Sequence, residues 1–132
     1  MLMNECCTIY LKNKHGSFDG FDRYFIPKCH WQESEASNVL KSGLQNADGI
    51  TVYVLKKDIS AELETALRAR KKAAQDIIIK GECNFTFDNS TQQKVSESLR
   101  ALNADNDTHT IMSIDRLLYG SEDLQHYKFS AR

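Results

Sequence analysis

The sequence lacks the two signals that would direct it to a membrane. No stretch approaches the ~20 apolar residues of a membrane-spanning helix. The first residues, MLMNECC, have neither the basic start nor the apolar run of a secretory leader. We therefore expect a protein that is made and kept in a cytosol and has no membrane partner.

An excess of charge of one sign is also missing. The 17 lysines and arginines nearly balance the 18 aspartates and glutamates, which leaves a formal net charge of -1. Proteins that gather nucleic acid by counterion release carry a basic field, so the charge gives no support to DNA binding. The one basic cluster, RARKK at 68–72, ends a predicted helix, where cations complement the helix dipole.

Motifs of enzyme chemistry are absent as well. The sequence has no CxxC, no GxGxxG and no GxxxxGK[ST], so neither a preorganised zinc site nor a phosphate cradle is indicated. A thiol nucleophile would need an activating environment that no segment shows. We expect reduced structural thiols, no metal, no cofactor and no enzyme activity, and a thiol or metal enzyme stays open as an alternative. The candidate ligands and bases are Cys6, Cys7, Cys29, Cys83, His30, His109 and His126.

Proline occurs once, at Pro27, inside the apolar segment FDRYFIPKCHW at 21–31. Proline cannot donate a hydrogen bond to a β-ladder, so this strand is expected to lie at an open edge or to bulge there. Alternation within the segment predicts that Phe25, Pro27, Cys29 and Trp31 share one face.

Alternating apolar residues indicate mostly strands in a chain whose 132 residues are enough for one domain. The most regular pattern is DIIIKGECNFTF at 76–87, which predicts one long strand with a bulge at Gly81. Helices are predicted at 58–73 and 91–103 from their capping residues and apolar stripes. The result is a single α+β domain over 1–132, dominated by a small antiparallel β-sheet or barrel with long loops and one or two short helices. The other predicted strands are 7–12, 49–56, 108–117 and 125–131.

A long polar segment at 32–49, QESEASNVLKSGLQNADG, separates two of these strands. Loops of this length inside small domains are uncommon unless they are functional. We expect this one to be an interface or a channel-facing arm. Its candidate contact residues are Glu33, Glu35, Lys41, Gln45 and Asp48.

Four segments together resemble a family of small virion proteins from tailed phages and prophages of Gram-positive bacteria. The segments are TIYLKNK, CHWQESEASNVLKSGLQNADGITVYV, DIIIKGEC and TIMSIDRLLYGSEDLQHYKFSAR. Proteins of this family are known as minor capsid, head-completion or head-to-tail joining proteins. The residues that carry the resemblance are His30, Trp31, Gly43, Leu44, Ala47, Asp76, Lys80, Gly81 and His126.

The resemblance implies a β-barrel subunit that repeats around an axis as a ring in the virion neck, between the portal or adaptor and the tail. Such a subunit would be assembled in the cytoplasm of the host bacterium and could lie near the packaged DNA in the channel. A stopper position is expected first, with adaptor and tail terminator left open. A phage-encoded binding module that is not part of the virion is the alternative from another class.

Overall fold

Every strand pairs antiparallel with two neighbours, so the sheet closes on itself in the order β1-β2-β3-β6-β5-β4. The computed structural model describes residues 4–33, 49–69 and 76–132. The expected α+β domain dominated by a small β-barrel is confirmed. The strands are β1 Glu5–His15, β2 Phe18–Glu33, β3 Ile50–Leu55, β4 Ile77–Lys80, β5 His109–Leu117 and β6 His126–Ala131. The helices are α1 Ala61–Ala69 and α2 Gln92–Asp105, with 3-10 turns at Lys56–Asp58 and Glu122–Leu124.

The interior of the barrel is filled by the side chains that alternate inward along each strand. Val52 and Val54 of β3 lie beside Tyr127 and Phe129 of β6 in this core. Helix α1 adds its apolar stripe, Leu63 and Leu67, to the same cluster. The helix begins after Ser60, whose hydroxyl accepts a hydrogen bond from the Leu63 amide at 3.2 Å. The helix therefore begins at Ala61, three residues later than the predicted start at residue 58. The predicted C-terminal residues 70–73 lie outside the described ranges.

Pro27 marks a bulge in β2, and the expected open edge is wrong. Cys7 pairs with Ile26 and Glu5 pairs with Cys29, so three steps on β2 oppose two steps on β1. The bulge exposes Pro27 and turns both Ile26 and Cys29 inward. Pro27 therefore does not share a face with Cys29 and Trp31 as predicted, because the extra residue resets the alternation. Strand β2 lies between β1 and β3 in the closed barrel.

Strand β4 ends at Lys80, seven residues before the predicted end of the 76–87 strand. Gly81 takes φ +90°, a left-handed conformation that ends the ladder. Beyond it, Cys83 and Phe87 still lie on the apolar face expected for them. They lie in an irregular segment that packs against the outside of the barrel. The alternation of apolar residues at 83–87 therefore arises from this packing and not from a paired strand.

A second core covers the outer face of β1 and β4. Tyr10, Ile77 and Ile79 point outward from these strands and contact the 83–87 segment and α2, which contributes Val95 and Leu102. Thr91 caps α2 by accepting a hydrogen bond from the Lys94 amide at 3.1 Å. The helix predicted at 91–103 is thus confirmed and extends two residues further, to Asp105.

Candidate functional site

Two histidines of the family resemblance meet on the outer face of the barrel, around a tyrosine. His30 of β2 is the cross-strand partner of Tyr53 of β3, with ring centroids 6.1 Å apart. His126 of β6 lies diagonally across the same tyrosine at 5.9 Å. All three rings are partly exposed. We call His30, Tyr53 and His126 the aromatic row.

The remaining described residues of the resemblance support the barrel instead of joining this row. Trp31 points into the core, and its Nε1 donates to Glu33 Oε1 at 2.9 Å. Asp76 is buried and accepts from the backbone N–H of Lys12 at 2.8 Å. Lys80 is exposed at the end of β4, where Gly81 turns the chain. The resemblance residues therefore do not form one site.

The predicted contact loop is described only at its ends. Glu33 is exposed at the end of β2 and pairs with Ile50, the first residue of β3, so the loop leaves and returns at neighbouring strands. Its other expected contact residues, Glu35, Lys41, Gln45 and Asp48, lie outside the described residues, as do Gly43, Leu44 and Ala47 of the resemblance.

The cysteines lie in packed surroundings. Cys7 and Cys29 are fully buried in the barrel core, and Cys83 is buried in the second core. A hydrogen bond with Cys29, and then burial, hold the pKa of Cys7 well above its ordinary value. Burial likewise raises the pKa of Cys6. The hydrogen bond between Cys7 and Cys29 lowers the pKa of Cys29, the direction that a thiol nucleophile needs, but Cys29 is fully buried and lacks the open approach that such a nucleophile also needs.

Ionisable groups elsewhere in the described ranges are scattered or paired. In residues 4–33, 49–69 and 76–132, no group of three or more His, Cys, Asp or Glu side chains could hold a metal ion. Arg68, the first residue of the basic cluster, forms an ion pair with Glu64 at 2.8 Å. Residues 70–72 of that cluster lie outside the described part.

A groove of about 610 Å³ runs between the β1–β2 hairpin and α2. Its floor is apolar, from Phe21, Ile77, Val95 and Leu99. Its rim carries Lys12 and Asp19 on the hairpin, Thr110 at the start of β5, and the exposed Arg132 that follows β6. Lys14 holds Asp19 in an ion pair at 3.6 Å. We call this the hairpin groove.

An exposed apolar surface lies on the loop that joins β5 to β6. Tyr119 and Leu124 are 75% and 68% exposed, whereas most large apolar side chains of the described residues are buried. Leu118, next to Tyr119, packs against the barrel core and anchors the loop. We call residues 118–125 the β5–β6 loop. The barrel thus carries a groove over a mostly buried apolar floor and a loop with two exposed apolar side chains, and we treat both as candidate surfaces for protein contacts.

A comparison with protein families identifies the family of the chain. A model for a family of unknown function, DUF6751, matches residues 2–132. The chain belongs to the DUF6751 family. No curated protein and no solved structure matches it. The description of DUF6751 assigns no activity, so the surfaces of this chain are the remaining indication of its function.

Sequence reasoning missed the most exposed apolar residues of this DUF6751 chain. The composition of LYGSED, at 118–123, predicts only a polar, glycine-bearing loop between the last two strands. Tyr119 and Leu124 flank its acidic residues, and large apolar side chains in such a loop are the signal that could have indicated a contact surface.

Among the described residues, no helix is both long and apolar enough to cross a membrane.

Proposed function

We propose that the protein is a structural subunit of a tailed-phage virion that forms a ring in the neck, as a stopper or head-completion protein between portal and tail. It assembles with copies of itself and with portal, adaptor and tail proteins in the host cytoplasm. The proposal assigns it no catalytic step and no cofactor. The sequence resemblance to head-to-tail joining proteins is the starting point of the proposal.

The observation that carries the proposal is that one closed barrel presents two unlike candidate surfaces for protein contacts. The β5–β6 loop presents exposed apolar side chains, and the hairpin groove presents an apolar floor with a charged rim. A subunit that repeats around an axis needs heterologous contacts, in which one surface meets a different surface of its neighbour. A closed barrel suits this role because its strands are paired all round and hold both surfaces in place.

The described residues that flank the 34–48 connection are Glu33, at the end of β2, and Gly49 with Ile50, at the start of β3. Glu33 and Ile50 are paired, and Ile50 also pairs with Ala131, just before Arg132 of the groove rim. The described residues that flank the connection therefore lie near the groove rim. Residues 34–48 themselves lie outside the described ranges, and their contact with a neighbouring subunit or with the channel stays part of the proposal.

The test is electron microscopy of a host lysate with and without the gene. The proposal predicts that loss of the gene leaves separate heads and tails, and that the wild-type gene supplied in trans restores joined particles. Heads that have lost their DNA would indicate a stopper, and full heads with unjoined tails would indicate a tail terminator. Normal joined particles without the gene would contradict the proposal and favour a binding module outside the virion.

A further inference from the structure

The β5–β6 loop is held in one shape by its own hydrogen bonds. Gly120 takes φ +85°, and its carbonyl accepts from Gln125 Nε2 at 3.2 Å. The Leu124 amide donates to the Ser121 carbonyl at 2.9 Å, and His126 Nδ1 donates to the Leu124 carbonyl at 2.9 Å. These bonds tie the backbone between Tyr119 and Leu124, which limits the backbone entropy that is lost when a partner buries the two side chains.

The loop combines this apolar surface with negative charge. Asp123 is exposed directly beside Leu124. The hairpin groove offers complementary charge, because the exposed Arg132 stands on its rim and Asp19, the acidic residue among its described lining, is paired with Lys14. With about 610 Å³, the groove has the size of pockets that bury a compact ligand, ~300–1,000 Å³.

The two surfaces lie at opposite ends of the β5–β6 hairpin. Thr110 and Arg132 exchange backbone hydrogen bonds of 3.1 Å at its open end, and both line the groove. The β5–β6 loop closes the other end, after Leu117. The nine residues of β5 span about 30 Å at the usual rise per residue. A molecule therefore cannot place its own loop in its own groove.

We propose that the β5–β6 loop of one copy docks into the hairpin groove of a second copy. Tyr119 and Leu124 cover the floor formed by Phe21, Val95 and Leu99, and Asp123 meets Arg132. The contact is heterologous and runs head to tail, so its repetition closes a ring or continues as a filament. It is the self-interface of the proposed neck ring and rests on that proposal, although the contact itself is a property of the purified chain.

Two variants, one in the loop and one in the groove, each remove one side of the contact and leave the buried core residues unchanged. Tyr119→Ser combined with Leu124→Ser removes the loop's apolar surface, and both positions are exposed. Ser96→Trp fills the groove from an exposed position of α2. Ala101→Trp is the matched control, since Ala101 is exposed on the same helix but is not among the residues that line the groove. Sedimentation velocity then measures self-association of each chain.

The wild-type chain and Ala101→Trp are expected to self-associate. The self-association affinity of the loop variant and of the groove variant is expected to be lower by about tenfold or more. The decisive sample is the equimolar mixture of the loop variant and the groove variant. Each variant keeps the surface that the other lacks, so the mixture is expected to form dimers of one copy each and nothing larger. Failure of the mixture to pair would overturn the heterologous contact.

A charge exchange separates docking from a general change in solubility. Asp123→Arg and Arg132→Glu are each expected to weaken self-association, and the chain that carries both changes is expected to recover part of it. Equal association of all these chains, or a wild type that stays monomeric up to about 1 mM, the weak end of the affinity scale, would overturn the proposal. Absence of the protein from virions would contradict the proposed function and leave this contact standing.

Discussion

The Thr8 hydroxyl donates a hydrogen bond to the Gly81 carbonyl at 2.9 Å and accepts one from the Cys83 amide at 2.9 Å. Thr8 is fully buried in β1, and the two bonds hold the chain where it leaves β4. Together with the Gly81 amide, which donates to the Cys6 carbonyl at 2.8 Å, they replace the ladder that the glycine interrupts. The Thr8 side chain therefore takes part in two of these three hydrogen bonds at the turn onto the outer face of the barrel.

Replacing Thr8 by valine keeps the shape of the side chain and removes both hydrogen bonds. The Gly81 carbonyl and the Cys83 amide then lose a partner close to the core, and the free energy of unfolding is expected to fall by about 1–3 kcal/mol. Urea unfolding measures the change. Thr65→Val is the matched control, because the Thr65 hydroxyl bonds to the Ala61 carbonyl on an exposed helix face. Equal effects at the two sites would contradict the structural role of Thr8.

Gly81→Ala tests the left-handed conformation directly. A methyl group at Gly81 meets no atom within 4 Å, so any cost comes from φ +90° and not from a clash. We expect a loss of about 1–2 kcal/mol in the free energy of unfolding. Gly49→Ala provides the control, since its added methyl also meets nothing and its φ is not in that region. If Gly81→Ala were as stable as Gly49→Ala, the chain would not turn at Gly81 as described.

Helix α1 closes the barrel core through Leu67, which is almost fully buried. Leu67→Ala is expected to lower the free energy of unfolding by about 2–5 kcal/mol, because it removes buried surface and leaves a cavity. Leu124→Ala makes the same chemical change on the exposed β5–β6 loop and is expected to alter stability by no more than about 0.5 kcal/mol. Chemical denaturation of both variants checks the pair. A small effect at Leu67 would mean that α1 does not pack on the barrel.

Tyr10 makes stability depend on pH at the alkaline end. Burial, and then the contact with Cys83, raise the pKa of Tyr10 above its ordinary value, and the Tyr10 hydroxyl donates its proton to the Phe85 carbonyl at 2.7 Å. As the pH rises, Tyr10 therefore ionises first in the unfolded chain. The contribution of Tyr10 to the free energy of unfolding is complete below pH ~10 and is lost as the pH rises toward the pKa of Tyr10 in the folded protein.

Tyr10→Phe is expected to flatten the loss of stability above pH ~10. At neutral pH it costs about 1 kcal/mol for the lost hydrogen bonds. Tyr119→Phe removes the hydroxyl of an exposed tyrosine and is the control for the cost at neutral pH, where it is expected to change stability by no more than about 0.5 kcal/mol. Thermal unfolding followed across this pH range measures both. An unchanged alkaline limb in Tyr10→Phe would contradict the burial of an unionised Tyr10.

Local pattern was enough to predict most of the barrel. The alternation in ITVYVL and HYKFSA marks β3 and β6, and the caps and apolar stripes mark both helices. The pattern failed after Lys80, because Cys83, Phe85 and Phe87 alternate as a strand would but meet the outside of β1 and β4. Alternation records which side is apolar, and it cannot tell a paired strand from an extended segment that packs on a sheet.

The candidate surfaces depend on strand order, which local pattern does not contain. His30 and His126 are 96 residues apart in the sequence and meet only because β3, with Tyr53, lies between β2 and β6. The hairpin groove requires α2 to pack beside the β1–β2 hairpin, and nothing in the sequence of α2 names that partner. Only the exposed residues of the β5–β6 loop were within reach of sequence reasoning.

Quantitative mass spectrometry of purified virions tests the proposed role in a phage particle most directly. A neck-ring subunit is expected in a fixed number of copies per particle and is expected to remain with isolated necks or unjoined heads after the particles are disrupted. Purified, infectious virions that contain none of the protein would contradict the proposed function.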